Sequence, residues 1–583
     1  MTSTASHYQG SGSLPSDYAL LSRYAARQDS MNHDGDNDSY SENESESESS
    51  TLHIPSSTVG ARRGSLPAHR RPSMGSRHDE QIERIIAPRS NPPNENTPLL
   101  NPPRIVEDVE QNDGTGQESS MQMFRDELGI LTKYALPVFG THLLEYTLVI
   151  ASVLTIGHLS TNALAAITLG SMTANVTGLS IIQGFTSALD TVLPSAWTSS
   201  KPHLVGLWAQ RMAVVIAFSL VPMLFIWFNA EVILLSLRQE PEVAHLAAVY
   251  LRWMSLGLPA YAFNLISRRY FQSQGLFTVP TRIIFVVAPI NALLNYLLVW
   301  GPEPIRLGFI GAPIATAVSF NLISLMSIVY GVFFVPKTAW YPISRRSFTS
   351  LGTLVHLGLG GVGQTASEWW AWELIGLAAS LIGPVALASQ SVLLVSASTT
   401  FQAPFALGIA TSVRIGNLLG EQRARRAGIV CKTAIFIAFI MAIFFSLMFF
   451  AFRQNWSYMF NEDPGKYTFF PHRNRRTDGV FDGNSAVANG ILRARGKQVT
   501  GALLNISAYY VIGVPFGAWF AFNFNLGLHG LWIGLTISLV YCSVFGSALC
   551  LRTDWDREVA KVMDRIADEH HGKSDLRQIG GGH

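Results

Sequence analysis

The chain has 583 residues, of which 48% are hydrophobic and only 14% charged, and its mean hydropathy is positive despite a long polar N-terminal stretch. That balance excludes an ordinary soluble domain and belongs to polytopic membrane proteins. A formal net charge of +2 gives no basis for nucleic-acid binding, and three cysteines, Cys431, Cys542 and Cys550, all inside apolar runs, exclude a disulfide framework and predict lipid-facing or packing residues.

Residues 1 to 125 are dominated by Ser, Asn, Asp, Glu and Pro, with an acidic run from Ser41 to Ser50. Such a segment buries too little apolar surface to offset its chain entropy, which predicts a disordered cytosolic tail. It has no apolar core of the kind a secretory signal peptide needs. Ser65 and Ser73 each follow an arginine pair, a pattern of basophilic kinase sites, although Ser-rich tails produce it by chance. Glu95-Asn-Thr-Pro-Leu99-Leu100 resembles an acidic dileucine sorting signal, which in a fungal protein implies delivery to the vacuole by a sorting adaptor. The alternative is a stray leucine pair.

From Tyr134 onward, apolar runs long enough to cross about 30 Å of hydrocarbon succeed one another. The expected spans are 134 to 157, 163 to 190, 207 to 228, 244 to 266, 281 to 300, 311 to 335, 352 to 381, 386 to 412, 428 to 452, 480 to 492, 500 to 522 and 529 to 551, with the tenth defective. They are helical because a lipid-exposed backbone must satisfy its own hydrogen bonds. Counting alternate loops from a cytosolic N-terminus, one side collects Lys201, Arg268, Arg269, Arg282, Lys337, Arg345, Arg346, Arg414, Arg423, Arg425, Arg426, Arg493, Arg495 and Lys497. The early loops of the other side hold little beyond Arg238, Arg306 and acids such as Glu231, Glu240 and Glu242. The positive-inside rule then places both termini in the cytosol, with the tail from 553 an exposed helix of mixed charge.

Within the seventh span, Glu368-Trp369-Trp370-Ala-Trp372-Glu373 puts two carboxylates and three indoles at bilayer depth. A charge there costs about 2.5–3.5 kcal/mol on insertion scales, so such groups face a protein interior or a watery cavity. Carboxylates exchange protons and aromatic faces attract organic cations, which together suit cation exchange. Packing alone is the alternative. Five steps separate Glu368 from Glu373, about 140° of rotation, so the two point differently. Glu368, with Trp372 four residues on along the same face, is expected to line the cavity.

Sliding the chain by about 220 residues reveals a repeat. Gly184 to Asp190 matches Gly408 to Arg414, Phe271 to Gly275 matches Leu492 to Gly496, and Gly308 to Gly311 matches Gly527 to Gly530. Six helices per repeat make the halves parallel, related by an axis along the membrane normal, with substrate bound between them.

The seventh-span acids and indoles, Pro404 to Gly420, and Tyr509 to Gly517 are similar to the seventh, eighth and eleventh helices of eukaryotic multidrug and toxic compound extrusion (MATE) transporters; Asn175 to Gly178 and Ser187 to Thr191 resemble that family's second helix. The resemblance runs from Tyr134 to Trp555. It implies an all-α integral membrane protein with twelve transmembrane helices in two six-helix lobes related by a pseudo-twofold axis, residues 126–340 and 341–552, between cytosolic tails. It also implies export of small organic cations in exchange for H⁺, less readily Na⁺, by a monomer in the lipid bilayer, with no cofactor and no nucleic-acid partner. The acids implicated in such exchange correspond to Glu368, Glu373 and Asp482. Vacuolar membrane is favoured over plasma membrane.

Further candidates are Glu145 in the first helix, as a second proton or cation site or as a structural hydrogen-bond partner; Trp369, beside the acids; and Asn175 and Gln183, as cavity lining or as interhelical hydrogen bonders. Asp190 and Arg414 occupy equivalent inner helix ends, either as halves of a cytosolic gate or as interfacial charges tying loops down. Gly358-Leu-Gly360-Gly361-Val-Gly363 matches a dinucleotide fingerprint but follows no strand, so small-residue helix packing is expected instead. No ATP-binding or hydrolytic motif is present. Gly465 to Gly479, polar and with three arginines, stands where the repeat demands an apolar helix. We expect a wrongly joined exon or retained intron there, a reading that transcript sequencing through an intact stretch would sink. Two alternatives stay open: a non-transporting or defective form, favoured by the damaged tenth helix, and a flippase of the same superfamily, which would need cationic groove residues.

Overall fold

The computed structural model describes residues 119–157, 159–452 and 478–579. All belong to one compact unit, Leu100–His583. Ser65, Ser73, Glu95, Leu99 and Leu100 lie outside the described residues, as does the polar stretch from Gly465 up to Thr477. Among the described residues every regular element is helical.

The first half comprises α1 (Ser120–Gly157), α2 (Thr161–Ala174), α3 (Ser180–Thr186), α4 (Leu189–Thr198), α5 (Leu204–Phe228), α6 (Ala230–Ser236), α7 (Pro241–Met254), α8 (Leu258–Ser273), α9 (Thr278–Trp300) and α10 (Gly311–Phe333). The second half comprises α11 (Leu351–Ile382), α12 (Pro384–Gly420), α13 (Ala424–Ala451), α14 (Asp478–Ala494), α15 (Gln498–Ile506), α16 (Val514–Ala518), α17 (Leu528–Leu551) and α18 (Trp555–Ile579). Nine stretches among the described residues are long and apolar enough to cross a membrane. The α7–α8 pair is interrupted at Ser255–Gly257. α11 has 32 residues, ample for the 30 Å hydrocarbon layer, but its acids and indoles dilute its apolarity.

Local chemistry sets the boundaries. Ser160 caps α2 by accepting from the Ala163 amide at 3.0 Å, and α12 opens on Pro384, whose missing N–H is no loss at a first turn. A π turn at Asn175–Leu179 joins α2 to α3. The internal repeat is written into backbone conformation. Gly275 and Gly496 both end helices with φ of +79° and +69°, and Gly308 and Gly527 have +62° and +56°. The left-handed region admits glycine at little cost, so the same turn recurs at matched positions.

That register explains the tenth helix. The offset that carries Gly275 onto Gly496 carries Gly257, at the α7–α8 break, onto Asp478, where α14 begins. α14 is therefore the counterpart of α8. Its 17 residues reach about 25 Å, short of a full crossing.

Each half has its own core. Trp227, Met212, Ile216, Leu189 and Leu251 anchor the first. In the second, Leu407, Leu418, Val430, Val487 and Ile491 form one cluster, and Ala371, Ile375, Tyr509, Leu531 and Leu535 another. The three cysteines are buried in packing positions, not lipid-facing. Two boundaries differ from expectation. α1 starts at Ser120, inside the region read as tail, because Met123, Glu127 and Leu131 recur every four residues on a buried stripe. α18 is not simply exposed: Val562 and Ile566 pack into the second core, and Glu558, 5% exposed, pairs with Arg495 and Lys561.

Candidate functional site

The contacts that join the halves lie toward the arginine-rich end of the bundle. An apolar cluster packs Val138 of α1 and Phe277 against Ala406, Ile409 and Val413 of α12. α3 crosses α11 where both carry glycine: a Cβ on Gly184 would lie 2.4 Å from the Val362 Cα, and one on Gly361 would lie 2.2 Å from the Gly184 carbonyl oxygen. The false dinucleotide fingerprint is thus a helix-crossing surface, as expected of small residues. α4 meets the end of α12 in the same way, with Gly416 against Pro194 and Gly420 against Ser195. Thr198 donates to the Asn417 carbonyl at 2.7 Å. Replacing Gly361 by Val is expected to disfavour this closed seam by about 1–3 kcal/mol through overpacking. Hydrogen exchange of the 184–198 segment would then quicken about tenfold; unchanged protection would show that the crossing tolerates a side chain.

Two buried ion clusters bridge the seam. Asp190, 4% exposed in the first turn of α4, accepts from Arg269 Nε of α8 at 2.9 Å and pairs with Arg493 Nε of α14 at 3.3 Å. Next to it, Thr191 donates to the Arg493 carbonyl at 2.5 Å and accepts from Gln498 at 2.7 Å. The second cluster centres on Glu127 of α1, fully buried. It accepts from Arg414 Nε at 2.8 Å and Nη2 at 2.6 Å, and from Arg426 Nε at 2.5 Å. Asp190 and Arg414 are therefore not partners; each ties its own helix across the seam to a different group. Arg268, Arg269, Arg414 and Arg493, counted by sequence as loop charges, sit within α8, α12 and α14.

Glu145 is held by Arg268 through both carboxylate oxygens, with His142 Nδ1 at 3.3 Å. In this arrangement its carboxylate is half of an ion pair between α1 and α8. Asn175 opens the π turn, and it and Gln183 are half-buried on the helices that lead to the seam.

Beyond the seam on α11, Glu368, Trp369, Trp372 and Glu373 are half-buried while Trp370 is exposed. Trp372 stands edge-on to Trp532 of α17, ring centres 5.8 Å apart, and Trp532 donates to Gln390 at 2.8 Å. One turn before Glu368, Gln364 is buried and donates to Asn489 of α14 at 2.8 Å, while Asn505 donates to the Gln364 carbonyl at 2.9 Å. Asp482 falls at the fifth position of α14, near its start. Carboxylates beside indole faces, in a half-buried setting, can hold a cation or a proton in turn.

Glu127, Arg268, Arg269, Arg426, Arg493, Gln364 and Asn489 were not singled out as site residues from sequence. The stripe Met123–Glu127–Leu131 could have exposed Glu127. The others gain their meaning from partners more than 75 residues away, as in Arg269–Asp190.

Comparison with known proteins follows the same geometry. The MatE family model matches residues 137–297 and 362–519. An uncharacterized transporter of Schizosaccharomyces pombe is 37% identical over 77% of this chain and 84% of its own length. Mouse multidrug and toxin extrusion protein 2 is 31% identical over 76% of this chain and 77% of its own. The crystal structure of the eukaryotic MATE transporter AtDTX14 superposes with a TM-score of 0.71 at 27% identity, covering 76% of this chain and all of that one. This chain therefore belongs to the MATE family of integral membrane transporters and is not an enzyme.

Proposed function

We propose that the protein exports small organic cations in exchange for H⁺, by alternating access between two six-helix lobes, 126–340 and 341–552, related by a pseudo-twofold axis along the membrane normal. Twelve membrane helices result when α7–α8, α11 and the short α14 are counted beside the nine apolar spans among the described residues. The observation that carries this reading is the placement of the seam. Its glycine crossings and ion clusters lie toward the arginine-rich end, and Glu368, Trp372 and Glu373 lie beyond them on α11. With that end in the cytosol, as loop charges favour, the structure is a carrier closed inward, its acids on the far side of the closure. Both termini are then cytosolic, and the dileucine motif directs the carrier to the vacuolar membrane rather than the plasma membrane.

Glu368 takes the role of cavity acid, Glu373 and Asp482 are supporting acids, and Trp369 and Trp372 are aromatic walls for the cation. A flippase is the weaker reading, since two of the buried arginines, Arg268 and Arg493, are each paired with an acid. The shortened α14 favours a second reading, a bundle that binds ligand without moving it. Proteoliposomes loaded with a fluorescent organic cation distinguish these. An imposed pH gradient is expected to drive flux and a Na⁺ gradient is not; the reverse would reassign the coupling ion, and binding without flux under either would favour the non-transporting form.

A further inference from the structure

A buried polar ladder connects the acid helix to the seam. Gln364 and Glu368 lie one turn apart on α11, and Asn489 and Arg493 one turn apart on α14. Gln364 donates to Asn489 at 2.8 Å, and Arg493 pairs with Asp190 across the seam at 3.3 Å. Gln364, Asn489, Arg493, Asp190, Thr191 and Gln498 are all less than 9% exposed. Arg493 also lies within electrostatic reach of Glu368 and of Arg269. Gln364 Oε1 is buried with no hydrogen-bond partner among the described residues. It is an acceptor one turn from a carboxyl that becomes a donor on protonation.

We propose that Arg493 is the positioning residue that transmits the charge state of Glu368 to the seam, holding it shut while Glu368 is ionised. This rests on the reading of Glu368 as the exchanging acid. Two cations, Arg269 and Arg493, are then balanced by two anions, Asp190 and Glu368. Neutralising Glu368, by a proton or by an organic cation paired to it, leaves two buried guanidinium groups sharing one carboxylate. Buried charge without a counter-charge is costly, so the seam loosens. Gln364 Oε1 accepts the new O–H of Glu368, and its amide remains on Asn489. A loaded carrier then opens inward more readily than an empty one, by the seam stability that ionised Glu368 contributes.

The other titratable groups near this path can be named. Arg565 of α18 reaches Gly496, three residues beyond Arg493. His356 and Glu373 share α11, and the elements packed on α11 bring Arg211, Arg414, Tyr509, Tyr510, His529 and Tyr541. His142 of α1 lies near Arg269. Glu373 and the three histidines are controlled by including E373Q, H142Q, H356Q and H529Q.

The test is hydrogen exchange of the seam segments 186–200 and 411–423, corrected for intrinsic rates, from mildly basic to mildly acidic pH in the full-length protein. Binding of a fluorescent organic cation is followed in parallel. In the wild type, seam exchange is expected to quicken about tenfold as pH falls, the middle of the usual range for coupled sites. E368Q should be loose at every pH and lose pH-dependent binding. R493Q should keep pH-dependent binding but lose the pH-dependent change at the seam, and R493K should restore it. R493Q with a wild-type seam response would overturn the proposal. So would looseness at all pH that R493K does not repair, which marks a structural role only. If E368Q binds and responds as wild type, the reading of Glu368 itself fails, a result separable from the first two by the binding measurement.

Discussion

Glu127→Ala is expected to destabilise the folded protein by about 3 kcal/mol. Glu127 is fully buried and accepts three hydrogen bonds from two guanidinium groups. Removing one partner of a buried ion pair costs about 3–5 kcal/mol, mostly because the remaining charge is stranded. The lower end applies because the Arg414 and Arg426 side chains keep 13% and 19% exposure and can regain some water. Glu127→Gln, which keeps the shape and one acceptor oxygen, should fall between. Thermal unfolding in detergent would read this as a drop of several degrees for Glu127→Ala; a midpoint unchanged from wild type would mean that the cluster does not hold α1 against the second half.

The physical reason for that size also explains why the cluster escaped a reading of sequence. Apolar runs of about twenty residues are legible because bilayer thickness dictates them, and the long helices α5, α9, α10, α13 and α17 fall close to expectation. Paired repeat glycines are legible because only a left-handed turn explains their recurrence. Partners such as Glu127–Arg414 or Asp190–Arg493 are about 300 residues apart, and hydropathy assigns Arg414 and Arg493 to loops. Folding reverses that assignment by supplying Glu127 to Arg414 and Asp190 to Arg493. The same applies to Glu145, whose sequence position leaves both a functional and a structural role open and does not disclose Arg268 as its partner.

The acid helix was legible for the opposite reason. Glu368 and Glu373 stand out in the sequence because each is an acid within a long apolar run, and α11 is long enough to bury both near mid-depth. What sequence did not disclose is that the turn before Glu368 is wired through Gln364 and Asn489 to the seam. The sequence does place Asp482 near the start of a defective tenth helix, and α14 begins at Asp478 and carries both Asn489 and Arg493 of the ladder.

The second large effect is Glu368→Gln. The amide keeps the volume and cannot exchange a proton, so proton-driven flux should fall about a hundredfold, equivalent to about 2.7 kcal/mol on the transport barrier. Glu373→Gln is expected to do less, because Glu373 lies 140° around α11 from the Glu368–Trp372 face at about 100° per residue. The most direct measurement is uptake of a fluorescent organic cation by proteoliposomes under an imposed pH gradient, wild type beside Glu368→Gln, with insertion and orientation verified in both. Gradient-dependent uptake in the wild type that collapses in the variant is the predicted result. Equal proton-driven uptake by the two would contradict the assignment of exchange to Glu368.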